Sequence, residues 1–186
     1  MNYLILGLIL FAGVHLLLPS WPSLRAGLIK RLGENGYKGL FSLLAISGIV
    51  LMVVGYSRVA FLQVYTPPPW GRHVTLILMA VSLILFAAAN MPGNIKRIIR
   101  HPMLWGLVLW AVGHLLANGD KASLLLFGGL GVYGLLAMMS ATLRGAQKQT
   151  YAVPVKKDAI IIAAGLVVYV VLVIVHPYLF GVAVYT

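Results

Sequence analysis

The chain has 186 residues, 61% of them hydrophobic and 9% charged, with a mean hydropathy of +0.99. A soluble domain is about 45–50% apolar and about 25% charged, so a water-soluble globule of this composition would expose large apolar patches. Fourteen Lys and Arg against three Asp and Glu leave a net +11, but the cations lie between long apolar runs, which points to an integral membrane protein and away from nucleic acid.

A spanning helix needs about 20 mostly apolar residues. The first predicted span is Tyr3–Leu18, closed by Pro19 and Pro22. With no basic residue in Met1-Asn2-Tyr3, it is expected to be retained rather than cleaved as a signal peptide. Gly39–Gly55 is the second, followed by a connection containing Pro67-Pro68-Pro69. Val74–Ala89 is the third and ends at Met91-Pro92-Gly93-Asn94. Pro102–Ala117 is the fourth, with Pro102 suited to a first helical turn. Asn118-Gly119-Asp120 then makes a tight turn, with Gly119 as helix stop and Asp120 as cap of the fifth span, Ser123–Ala141. Its Gly128, Gly129, Gly131 and Gly134 are expected to permit close helix contact. Val153-Pro154-Val155 precedes the last span, Ala159–Val175. Helices are required because backbone polar groups find no water in hydrocarbon. The fold class expected is all-α: one membrane bundle of about six helices, a single domain over residues 1–186.

Charge sets the direction. The first, third and fifth connections hold Arg25, Lys30, Arg31 and Lys38; Lys96, Arg97 and Arg100; and Arg144, Lys148, Lys156 and Lys157. The other side has only Arg58, Arg72 and Lys121. This asymmetry places the basic loops in the cytoplasm and both termini outside. Topology together with attraction to anionic membrane lipid accounts for most of the cations.

Without cysteine there is no disulfide, thiolate metal site or cysteine nucleophile. With only Glu34, Asp120 and Asp158 as carboxylates, paired-carboxylate chemistry is excluded as well. No charged residue lies well inside a predicted span, which argues against a proton relay or a voltage sensor. Of the five histidines, His73 and His176 sit near outer boundaries, and His101 stands at the cytoplasmic start of the fourth span. His15 and His114 have apolar helix on both sides. A buried neutral imidazole needs partners for both nitrogens. Hydrogen bonds to Ser42, Ser82 or Ser140 would meet that need, and so would the axial positions of a haem iron. Arg25, Arg72 or Arg100 would then meet the propionates. His101 and His114, 13 residues apart on one helix, point about 140° apart and cannot share an iron. By depth, His15 matches His101 better than His114. Trp105, Trp110 and Tyr133 are candidate pocket walls, with ordinary aromatic packing as the plainer alternative.

Three segments carry a resemblance over most of the chain: Leu8–His15 (LILFAGVH), Arg31–Ser42 (RLGENGYKGLFS) and Arg100–Asp120 (RHPMLWGLVLWAVGHLLANGD). The chain resembles the NnrU family of bacterial membrane proteins. That resemblance implies a multi-pass protein of the bacterial inner membrane linked to nitrite and nitric oxide reduction, with respiratory or nitrogen-oxide enzymes as partners. The family is in turn similar to the plant 15-cis-zeta-carotene isomerase, a haem b membrane enzyme. By motif its axial histidines correspond to His15 and His114, so the resemblance implies haem b as cofactor. The isomerase has a redox-active cysteine three residues before its second histidine, where this chain has Ala111, so its ligand exchange does not transfer. Arg100-His101-Pro102 also resembles a motif of membrane S-adenosylmethionine-dependent methyltransferases, but the later glutamate of that group is missing. A methyltransferase using Arg100 and His101, or a non-enzymatic assembly factor for a respiratory complex, are the alternatives to haem.

Overall fold

The computed structural model describes residues 1–184. Its elements among these residues are helices: α1 (Asn2–Ser20), α2 (Pro22–Ser57), α3 (Gly71–Asn90), the single turn α4 (Ile95–Ile98), α5 (Pro102–Ala117), α6 (Lys121–Leu143) and α7 (Lys156–Phe180). Five of them, all but α4 and α5, are long and apolar enough to cross a membrane. The fourth expected span, α5, is apolar but has 16 residues, about 24 Å of helix against a hydrocarbon core of about 30 Å. The protein is a helical bundle of membrane-spanning character.

Helices pack in the spatial order α2, α1, α6, α5, α3, α7, with α2 also touching α6. They therefore form a row with α6 and α5 in its middle. The first, third and fifth connections meet at one end. There Ser20 Oγ lies 3.0 Å from Ser140 Oγ, and Arg144 donates to both hydroxyls. His101 Nε2 is 3.0 Å from Thr142 Oγ1. Asn94 holds Asp158 through its backbone N–H and its amide, both at 2.6 Å. This is the basic end.

The connection after α1 differs from expectation, because it is helical. Residues before Gly33 continue as a turn-by-turn extension of α2, and Gly33, at φ 72° and ψ 168°, breaks the rod. Only glycine takes that backbone readily. The extension is mostly exposed, with Arg25 lying 5.5 Å over the ring of Tyr37 from beyond the break, where Lys38 pairs with Glu34 at 2.7 Å.

Small residues set the close crossings. A Cβ on Gly7 would lie 2.6 Å from Met52 N, and one on Gly55 would lie 2.3 Å from Leu4 N, so α1 and α2 touch backbone to backbone. On α6, Gly129 admits Leu8, Gly131 faces Ala111 and Gly134 takes Val108. Gly128 does not share that role: a side chain there would meet open space. The shared core is Leu4, Met52, Ala122, Leu130 and Tyr133, packed from α1, α2 and α6, with residues of α5 against it.

Candidate functional site

His15 and His114 have matching surroundings. Each carries an aromatic residue four positions earlier, Phe11 or Trp110, and each places Nδ1 2.8 Å from the backbone carbonyl of that residue. A carbonyl only accepts, so Nδ1 bears the proton and Nε2 keeps its lone pair. Neither Nε2 has a hydrogen-bond partner among the described residues, where no buried side-chain nitrogen or oxygen is left unpaired. Both Nε2 atoms therefore open onto accessible space. A histidine whose second nitrogen is tied to a carbonyl is oriented as metal-binding histidines are.

Aromatic rings wall each imidazole. His15 lies 4.2 Å from Phe11, 4.9 Å from Phe41 of α2 and 6.0 Å from Tyr133 of α6. His114 lies 4.7 Å from Trp110 and stacks at 4.5 Å and 24° on Phe127 of α6. Phe127 also meets Tyr56, whose hydroxyl is 2.9 Å from Ser123 Oγ. The stripes leading to the two histidines, Leu8-Phe11 and Leu107-Trp110, both pack against the core around Leu130 and Tyr133. The imidazoles thus approach one apolar cluster from helices on opposite sides of α6.

Their depths can be read along α6. His114 is level with Phe127 and His15 with Tyr133, six positions or about 9 Å apart. His101 is level with Thr142, nine positions or about 14 Å beyond Tyr133. The expected depth match of His15 with His101 is therefore reversed: His114 is nearer. Helical side chains lean toward their own N-terminus, and α1 and α5 run in opposite directions. In depth, each ring is therefore displaced toward the level of the other.

The remaining predicted residues fall elsewhere. His101 and Arg100 stay at the basic end, where burial and the neighbouring Arg100 charge hold the His101 imidazole below the ordinary histidine range. Arg25 is over Tyr37 rather than near either histidine. Two of the three serines proposed as histidine partners have others: Ser82 donates to the Gly106 carbonyl at 2.7 Å, and Ser140 meets Ser20 and Arg144. Trp110 and Tyr133 do wall the histidines, while Trp105 borders a groove at the basic end.

Sequence reasoning missed Phe11, Phe41 and Phe127 as walls. A signal for two of the wall positions was present, because Leu-x-x-Phe-x-x-x-His and Leu-x-x-Trp-x-x-x-His recur at Leu8–His15 and Leu107–His114. Spacings of three and seven put all three residues on one helix face. It also missed the clasp at the end opposite the basic loops. There Tyr65 donates to the carbonyls of Leu115 and Asn118, the latter at 2.7 Å, while Asn118 donates to the His114 carbonyl at 2.9 Å. Val64 and Tyr65 both donate to Gly119 O, at 2.8 and 3.1 Å, and Lys121 N–H donates to Leu62 O at 2.9 Å. The clasp finishes α5 one turn beyond His114. Among the described residues no group of three or more His, Cys, Asp or Glu side chains comes together as a metal site. A haem iron, whose macrocycle supplies its equatorial ligands, asks the protein only for the axial ones.

A family model described as NnrU protein matches residues 3–184, nearly the whole chain. Neither the curated proteins nor the solved structures compared with it include a match.

Proposed function

Because the chain belongs to the NnrU family of membrane proteins, we propose that it binds haem b within the membrane and serves nitrite or nitric oxide reduction, with His15 and His114 as the residues that would hold the iron. One observation carries this reading: two imidazoles, each tied at Nδ1 to its own helix and without a partner at Nε2 among the described residues, stand on helices whose stripes pack on a single apolar cluster. The donor set suits the group. Each imidazole keeps one lone pair free, which is what a metal ligand must supply.

When bound, haem supplies one-electron redox chemistry at its iron. The chain's own residues hold the imidazoles in one tautomer, exclude water with Phe11, Phe41, Trp110 and Phe127, and place the Tyr133 ring beside His15. Two histidine ligands favour electron transfer or redox sensing in the bacterial inner membrane, in contact with a respiratory or nitrogen-oxide enzyme. Isomerase chemistry by exchange to a thiolate has no residue here, since Ala111 fills that position against Gly131.

The test is absorption spectroscopy on protein purified from haem-replete cells. A Soret band is expected in the wild type and in His101→Ala, and a lost or strongly shifted band in His15→Ala and His114→Ala. Colourless wild-type protein, or a band indifferent to both substitutions, overturns the assignment.

A further inference from the structure

A groove of about 520 Å³ lies at the basic end between the α4–α5 turn and the end of α6. Its polar rim includes Arg100, His101 and Lys148, and its apolar wall Trp105, Met138 and Leu143. A second hollow of about 310 Å³ shares Arg100 and His101 and adds Lys96. No carboxylate lines either one. The His101–Thr142 contact ties the two walls of the groove together.

We propose that this groove seats one anionic phospholipid, its phosphate between Arg100 and Lys148 and an acyl chain along Trp105 and Leu143. Arginine meets phosphate oxygens with two parallel N–H donors. Free phosphate shares that chemistry but has no use for the apolar wall, where Leu143 is 81% and Trp105 44% exposed. The length of α5 supplies an independent reason. Its 16 residues fall about 6 Å short of the hydrocarbon thickness. A short span thins the bilayer or draws polar groups inward. Arg100 stands two residues before α5 begins, where a headgroup drawn inward would arrive. The site is separate from the two membrane histidines and does not depend on haem.

The experiment places the purified full-length chain in nanodiscs of phosphatidylcholine doped with phosphatidylglycerol and counts the retained lipid by native mass spectrometry. The wild type should retain phosphatidylglycerol preferentially. Arg100→Gln and Lys148→Gln should each weaken retention about fivefold, the fold-change equivalent to about 1 kcal/mol per cation near a membrane surface. Arg25→Gln removes a cation at the same end but outside the groove, and should change nothing. Lys148 is exposed on a connection, so its variant carries the test even if Arg100→Gln fails to fold. Equal losses in all three variants would mean diffuse attraction only and overturn the proposal, as would retention indifferent to all of them. Displacement of the lipid by inorganic phosphate or by S-adenosylmethionine would assign the groove to a small solute and overturn it too.

Discussion

Gly119 is the position where one methyl group does the most damage to the clasp. A Cβ there would lie 2.0 Å from the Tyr65 carbonyl oxygen and 3.0 Å from its carbon, and ordinary contact begins at 3.4 Å. The third near atom is Pro67 Cδ, 2.9 Å away in a rigid ring, so no flexible side chain can swing aside. The two segments must part by about 1.4 Å, the difference between the clash and ordinary contact. The hydrogen bonds from Val64 and Tyr65 to Gly119 O, at 2.8 and 3.1 Å, would then stretch past any useful length. At about 0.5–1.5 kcal/mol each, Gly119→Ala should destabilise the chain by about 1–3 kcal/mol. Gly128→Ala is the matched control: its Cβ meets nothing, and replacing a mid-helix glycine gains up to about 1 kcal/mol. Denaturant unfolding in detergent reads the two opposite signs, and hydrogen exchange should show Val64 and Tyr65 losing protection in Gly119→Ala alone. If Gly119→Ala is as stable as wild type with both amides still protected, the clasp as described does not hold α5. Any bound chromophore should be retained less well by Gly119→Ala than by Gly128→Ala, because the clasp finishes the helix that carries His114.

Tyr65→Phe removes the hydroxyl that donates to Leu115 and Asn118 and should cost about 1 kcal/mol. Burial, and to a lesser extent the Asp120 charge, raise the Tyr65 phenol above the tyrosine range. The folded state therefore holds its proton longer, and wild-type stability should fall as pH rises beyond about 10, a slope that Tyr65→Phe should flatten in unfolding curves. His101 is displaced the other way, below about 6.5. The unfolded chain then takes up its proton first as pH falls through that value, so acidification should weaken the fold, and His101→Gln should remove that part of the pH dependence. An NMR titration of the His101 ring should show its midpoint below that of a model peptide. At Gly165, a Cβ would lie 2.6 Å from Ile84 Cα, so Gly165→Ala should loosen α7 from α3. Hydrogen exchange should rise in α7, while the surroundings of His15 and His114, held by α1, α5 and α6, stay unchanged.

How much of this was legible depends on how local the cause is. Prolines and the Asp120 cap act within a few residues, and the helix ends fall close to where they place them; Asp120 Oδ1 does accept the Ser123 N–H, at 2.9 Å, whereas Gly119, expected as a helix stop, has no positive φ and is required instead by the approach of the Tyr65 carbonyl. The helical start of α2 was hidden because Arg25, Lys30 and Arg31 break the apolar run, although a helix outside the hydrocarbon need not be apolar. The clasp was hidden for a different reason. Pro67-Pro68-Pro69 reads as a plain connection, and nothing in the run Leu62–Tyr65 reveals that its backbone pairs with a turn more than fifty residues later. The α6 glycines show the same limit: Gly128 and Gly129 are neighbours in sequence, yet one faces Leu8 and the other open space. Only the helix's rotation within the row decides between them.

The histidine pair shows where sequence depth goes wrong. Counting residues from span edges compares Cα heights, and by that measure His15 and His114 sit in different halves of the membrane. Coordination depends on ring nitrogens. Each ring is drawn back along its own helix by a bond to the carbonyl four residues earlier, and helices of opposite direction turn two such displacements into a smaller difference in depth. His101 cannot gain in the same way. It precedes Pro102 as the N-cap of α5, with no helical turn before it to lean over, and its Nε2 is engaged by Thr142. The same leaning that brings His114 nearer the depth of His15 therefore leaves His101 at the basic end, beside the groove. Membrane depth and chemical reach thus divide the three candidate histidines in different ways, and the division by reach follows from the direction of each helix.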